Sequence, residues 1–290
     1  MKIIESPREA MQGILPFIPT EKKVKYISAL LKAGFDTVET GSFVSPKAVP
    51  QMSDTLEVLK QIERIGTKSK RMVLTVNKKG AEMAAEIDFI ETISFPFSIS
   101  SRFTELNFNS TSGKLLETVG FINNLCFRSN KSFVVYISMA FGNPYGDEWS
   151  LETLSKWVGL LKDIGIQTIP LSNVTIEIDK KLIEDVFDCL VPQFPEIEFG
   201  LHLHTSNEGW QEKVEAACSK GCRRFDTVMH GMGGCPMTGK ELLGNLSTEN
   251  MIQFLEEKNE IPEGFDHKAF IESGKLAYEI FKDPSPFGAD

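Results

Sequence analysis

Two periods alternate in the apolar positions of the chain. Short runs rich in Val, Ile, Phe and Thr are apolar throughout or repeat every second residue, and longer stretches repeat every three to four. The short runs predict strands over residues 3–5, 37–40, 71–76, 89–95, 133–138, 167–171, 197–204 and 225–229. The longer stretches predict helices over about 20–33, 54–65, 79–86, 113–129, 150–164, 180–191, 210–220, 248–258 and 267–281. In the first helix Val24, Ile27, Leu30 and Leu31 form the apolar stripe, Thr20 is placed as the cap, and Gly34 closes the turn. Eight strands, each followed by a helical segment, is the count of a closed (β/α)₈ TIM barrel with additional helices at its C-terminal end. An open doubly wound sheet uses fewer such units and a phosphate-binding glycine pattern after the first strand, which is absent. One domain over 1–290 is expected. Two segments, 6–18 and the serine-rich 96–110, are predicted as loops, and loops of that length tend to be functional or mobile.

Barrels of this kind carry their chemistry at the C-terminal ends of the strands. The run Gly200-Leu201-His202-Leu203-His204 holds two of the four histidines of the chain. On a strand, residues i and i+2 share a face, so both imidazoles are expected to aim at one spot. Hydrogen-bonded core histidines are the plainer alternative. The other strand ends add Arg8, Glu9 and Gln12, then Glu39 and Thr40, then Asn173, and finally the glycine loop with Cys235 and the pair Gly244-Asn245. Two imidazoles, a carboxylate and an amide oxygen make a mixed N/O donor set, which suits Mg²⁺, Mn²⁺ or another first-row ion better than a closed structural zinc. Such an ion can polarise a carbonyl and steady an enolate, as aldol and retro-aldol reactions require.

Composition narrows the field. The chain has 290 residues, 41% of them hydrophobic, and a net charge of -9, which argues against a nucleic-acid-binding face. Five scattered cysteines, Cys126, Cys189, Cys218, Cys222 and Cys235, lack paired zinc spacing and are odd in number, so a reducing cytoplasm is expected rather than a disulfide framework. No apolar signal region opens the chain, and no run approaches the ~18 apolar residues of a membrane span.

The stretch Glu39-Thr40-Gly41-Ser42-Phe43-Val44-Ser45-Pro46-Lys47-Ala48-Val49-Pro50-Gln51-Met52 resembles the 3-hydroxy-3-methylglutaryl-CoA lyase family over its whole length. Supporting motifs are Pro7-Arg8-Glu9 with Gln12, His202-Leu203-His204, Gly233-Gly234-Cys235-Pro236 and Gly244-Asn245-Leu246-Ser247-Thr248-Glu249, which in order and spacing span about residues 1 to 275. The resemblance implies a metal-dependent barrel that cleaves a 3-hydroxy-3-methylglutaryl thioester to acetyl-CoA and acetoacetate with Mg²⁺ or Mn²⁺. It implies Glu9, His202, His204 and Asn245 as metal ligands and Arg8, Glu39 and Cys235 as catalytic residues. Gln12, Ser100 and Asn173 are implied beside the acyl-CoA substrate, and a homodimer is implied as the assembly.

Three departures mark this chain. Family members read Pro-Arg-Asp-Gly-Leu-Gln where this chain has Glu9, which keeps the charge and adds roughly 1.5 Å of reach. The family's Gly-Asp-Thr is replaced by Ser172-Asn173-Val174, so a titratable carboxylate gives way to an amide that cannot accept a proton, and the threonine hydroxyl beside it is lost. After His204 an aspartate is replaced by Thr205. Three functions accommodate these changes: the lyase itself, a related metal-dependent aldolase or Claisen-type synthase with another substrate, and a degenerate barrel that binds acyl-CoA or metal without turnover.

Overall fold

The computed structural model describes residues 1–174, 176–234 and 243–282, with the main chain of 285–286. Its strands are β1 (Lys2–Glu5), β2 (Thr37–Phe43), β3 (Lys70–Thr75), β4 (Thr92–Ser98), β5 (Ser132–Ser138), β6 (Thr168–Ser172), β7 (Glu198–His202) and β8 (Arg224–Thr227). Each pairs in parallel with the next, and β8 returns to β1 with Asp226 opposite Ile4, so the sheet closes into an eight-stranded barrel. Closure pairs both edges of each of the eight barrel strands. The helices are α1 (Pro7–Gln12), α2 (Thr20–Ala33), α3 (Thr55–Ile62), α4 (Lys78–Ala85), α5 (Ser101–Phe108), α6 (Ser112–Arg128), α7 (Leu151–Ile164), α8 (Lys180–Gln193), α9 (Trp210–Ser219), α10 (Thr248–Glu257) and α11 (His267–Phe281). No helix among the described residues is long and apolar enough to cross a membrane.

Strands buried on both faces explain the near-continuous apolar runs of the sequence. Their outer faces pack on the helix stripes, and Phe95, Phe97, Phe187 and Phe225 are fully enclosed, each contributing about 1.5–3 kcal/mol by leaving water. The helix starts are defined by polar side chains. Asn77, Ser100, Thr111, Ser150, Asp179, Ser247 and Asp266 each accept from the main-chain N–H three residues on, at about 1 kcal/mol per cap.

Four expectations change. Thr20 does not cap α2, whose cap position is Pro19; its hydroxyl donates to Asp54 at 2.8 Å, and the same carboxylate holds the buried Lys23 at 2.7 Å. The segment 6–18 is no simple loop, for it contains α1 and a two-residue strand, Ile14–Leu15, paired with Ser285–Pro286. The segment 96–110 likewise divides into the end of β4 and the helix α5; the strand passes through Pro96, which pairs with Tyr136, although proline lacks the donor a central strand normally needs. Finally, β7 ends at His202, and His204 lies beyond it in an isolated antiparallel bridge to Asn245.

Candidate active site

The short helix α1 delivers three polar side chains to the C-terminal end of the barrel. Proline at its first position needs no N–H there, and Arg8 and Gln12, four apart, share one helix face. Arg8 Nη1 donates to Gln12 Oε1 at 2.8 Å. Its Nε and Nη2 both reach Glu39 Oε2, at 2.8 and 2.7 Å. Glu39 stands at an irregularity in the β2 register, between residues 39 and 41, and is 1% exposed. The guanidinium is thereby fixed at two ends while its Nη2 lies 3.6 Å from Glu9.

Glu9 is turned toward the histidines. Its Oε2 is 3.4 Å from His202 Nε2 and its Oε1 is 3.8 Å from His204 Nε2, and the two rings lie 4.9 Å apart at 63°. His202 has a second partner that sequence reasoning missed. Asp226, 3% exposed on β8, sits 3.0 Å from His202 Nδ1, which leaves Nε2 free to face Glu9. Tyr136 was also missed, and its ring meets His202 edge-on at 5.6 Å. Both follow from register, since His202 pairs with Asp226 on one side and Ser172 on the other, while Ser172 pairs with Ser138, two residues from Tyr136 on the same face of β5. The available signal was a lone acid within an apolar strand, Phe225-Asp226-Thr227.

The electrostatics separate the groups. Burial alone would raise the Glu9 carboxyl, but the charges of His202, Arg8 and His204 hold it well below the usual carboxylate range. Burial opposes protonation of His202, yet Glu9 and Asp226 together push it up to about 10. For His204, burial and the neighbouring His202 charge act in the same direction and bring it down to about 4. Burial raises Glu39, with Arg8 opposing the shift.

The other predicted site residues have partners of their own. Asn173 is fully buried and directs its carboxamide at main-chain groups: Oδ1 accepts from His204 N at 2.8 Å, and Nδ2 donates to His204 O and Ile176 O, both at 2.7 Å. Its carboxamide is thus engaged by main chain on both its oxygen and its nitrogen. Ser100 is likewise 1% exposed and serves as the cap of α5, with its hydroxyl donating to Asp147 at 2.6 Å. Asn245 is buried beside His204, its Nδ2 donating to Met232 O at 2.8 Å. Gln12 remains half-buried against Arg8. Cys235 lies outside the described residues. A groove of about 1060 Å³ between α2 and α11, lined by Lys32, Lys68, Lys268 and Lys275 among others, contains none of these side chains.

Glu9, His202 and His204 could hold a metal ion: each offers one ligand atom, and those atoms all lie within 4.8 Å of one another. Their mutual distances of 3.4 and 3.8 Å are too long for strong hydrogen bonds and fit three donors arranged around one small cation. The donor chemistry, one carboxylate and two imidazoles, leaves coordination positions open.

Comparison with known proteins places the chain in a family. The HMGL-like family model matches residues 2–276. Human mitochondrial hydroxymethylglutaryl-CoA lyase is 30% identical over 277 residues, covering 95% of this chain and 84% of the relative. The (R)-citramalyl-CoA lyase of Chloroflexus aurantiacus is 28% identical over 291 residues, with 97% and 90% covered. The solved HMG-CoA lyase of Acinetobacter baumannii, in complex with coenzyme A and 3-methylmalate, superposes with a TM-score of 0.87 at 28% identity, covering 98% of this chain and 92% of that one. With the family model matched over residues 2–276 and the barrel shared over nearly the whole length, the chain belongs to the HMGL-like family as a diverged, HMG-CoA-lyase-like lyase.

Proposed function

We propose that this protein is a divalent-metal-dependent carbon–carbon lyase that cleaves 3-hydroxy-3-methylglutaryl-CoA, or a related 3-hydroxyacyl thioester, to acetyl-CoA and acetoacetate or its counterpart. The observation that carries the reading is the convergence of Glu9, His202 and His204 beside an arginine already fixed by Glu39. Glu9, His202, His204 and the adjacent Asn245 would hold Mg²⁺ or Mn²⁺, which when bound supplies Lewis-acid polarisation of substrate oxygens. Arg8 faces the same space and stabilises negative charge on the thioester oxygen as the enolate forms, and its two anchors mean little reorganisation accompanies that step. Cys235, on the glycine loop, is the candidate proton carrier, because Asn173 has no exchangeable carboxyl proton. Gln12 holds the Nη1 end of Arg8. We place the activity in the cytoplasm and in a homodimer.

A second reading keeps the chemistry and changes the acyl group. It is favoured by the citramalyl-CoA lyase relative, matched over 97% of this chain, together with Asn173 in place of the family's acid. Purified protein supplied with Mg²⁺ or Mn²⁺ decides between them. Acetoacetate from 3-hydroxy-3-methylglutaryl-CoA supports the first, a 2-oxo acid from citramalyl-CoA the second, and neither product across a range of metals and pH removes both.

A further inference from the structure

The ladder between β6 and β7 ends with Ser172 opposite His202. His204 lies two residues further, where β6 has no more strand to offer. On one side its neighbours are secured by main chain, with Thr205 N donating to Gly244 O at 2.9 Å and Leu246 N to Leu203 O at 3.0 Å. Alternation along an extended chain turns the N–H and C=O of His204 itself to the other side, the side β6 has left. The carboxamide of Asn173 occupies that place and answers both groups, accepting from the N–H at 2.8 Å and donating to the C=O at 2.7 Å.

The imidazole of His204 has little else to orient it. Its Nδ1 is buried and has no side-chain partner among the described residues, only the main chain of Leu243 beside it. His202, by contrast, is held through its ring by Asp226. The second N–H of Asn173 goes to Ile176 O and braces the turn beyond β6, where Val174 adopts φ 50°, a left-handed conformation unusual for a β-branched residue.

We infer that Asn173 is a positioning residue for His204, a side-chain extension of β6 that sets the second imidazole by gripping its main chain. The inference rests on the reading of His204 as a metal ligand. A carboxylate could not replace the amide, because two carbonyl oxygens face Nδ2 and a carboxylate has no N–H for either. The amide in place of the family's acid is therefore a clamp in its own right, and restoring the acid does not restore a function.

The test compares Asn173→Asp and Asn173→Ala with the wild type in Mn²⁺ affinity by calorimetry on the full chain, with circular dichroism to confirm folding. Loss of support around a ligand weakens metal binding by about 10–100-fold. Both variants are expected to fall in that range, and N173D is expected to give no gain in turnover. Asp266→Ala, which removes the α11 cap, serves as the control: it lowers the melting temperature and leaves Mn²⁺ affinity unchanged. Wild-type affinity in both Asn173 variants, or faster turnover in N173D, overturns the inference. If the variants do not fold, amide exchange in the metal-free wild type decides, with a protected His204 N–H expected and rapid exchange fatal. Absence of Mn²⁺ binding by the wild type defeats the metal reading instead, and amide exchange then still judges the clamp.

Discussion

Glu5 and Glu9 lie four residues apart at the same end of the barrel, each shut away from water, at 0% and 5% exposure, and yet their acidities are shifted in opposite directions. Around Glu5 the donors are neutral: the hydroxyls of Thr227 and Thr248 and the main-chain N–H of Met229 at 3.0 Å. Burial dominates there and moves the acid up to about 8. Glu9 meets Arg8 and two imidazoles, and His202 above all offsets the same burial and keeps it ionised. Desolvation acts on both, so the neighbours decide which carboxylate is available to a cation and which is a neutral bracket between β1, β8 and the start of α10.

The widest separation between them is expected on removing the charge. Glu9→Gln is predicted to weaken Mn²⁺ binding by more than about 100-fold and turnover by about 10³-fold, several kcal/mol of lost charge stabilisation. Glu5→Gln should leave Mn²⁺ binding unchanged in calorimetry. Equal losses from the two variants would break the comparison. Glu9→Asp sharpens it, since the carboxylate then falls roughly 1.5 Å short of the imidazoles. Affinity is expected between those of wild type and Glu9→Gln, and unchanged affinity would mean that α1 moves to compensate.

A smaller loss is expected one step outward. Asp226→Asn keeps the shape and removes the charge behind His202, so metal affinity is predicted to fall about 10–100-fold. The pH dependence of metal binding should shift as well, toward lower pH, because a His202 without Asp226 releases its proton more readily. A variant with unaltered affinity and pH profile would show that Glu9 alone orients the ring.

How much of this was legible in the residues follows the range of each interaction. The eight strands come from local apolar period, and the pairing of His202 with His204 from i and i+2 on one strand, although the strand stops at the first of them. The helix α1 escaped because six residues, Pro7 to Gln12, are too few to show a period, and polar side chains that face a site read as surface. Asp226 escaped because its meaning lies in a neighbouring strand. The main-chain hydrogen bonds of Asn173 and Ser100 escaped too, because they depend on which main-chain groups are left open nearby, a property no side-chain pattern records.

The effect with the gentlest slope concerns stability, and it isolates Glu5. An acid whose folded value is raised favours the folded state while protonated. Its contribution is complete below the unfolded value of 4.5 and declines as pH rises toward about 8, where the folded group also ionises. Over that window unfolding releases one proton, and stability should fall by at most about 1.4 kcal/mol per pH unit. His230 acts in the same direction, since Glu249 at 3.0 Å raises it and its share is lost as pH rises through its folded value. Urea unfolding of wild type and Glu5→Gln at matched pH cancels that share. The difference between them should narrow the wild-type advantage steadily from pH 5 to 8, whereas a constant difference would mean that Glu5 is ionised throughout and that its hydroxyl partners, like the cations around Glu9, are enough to hold a buried charge.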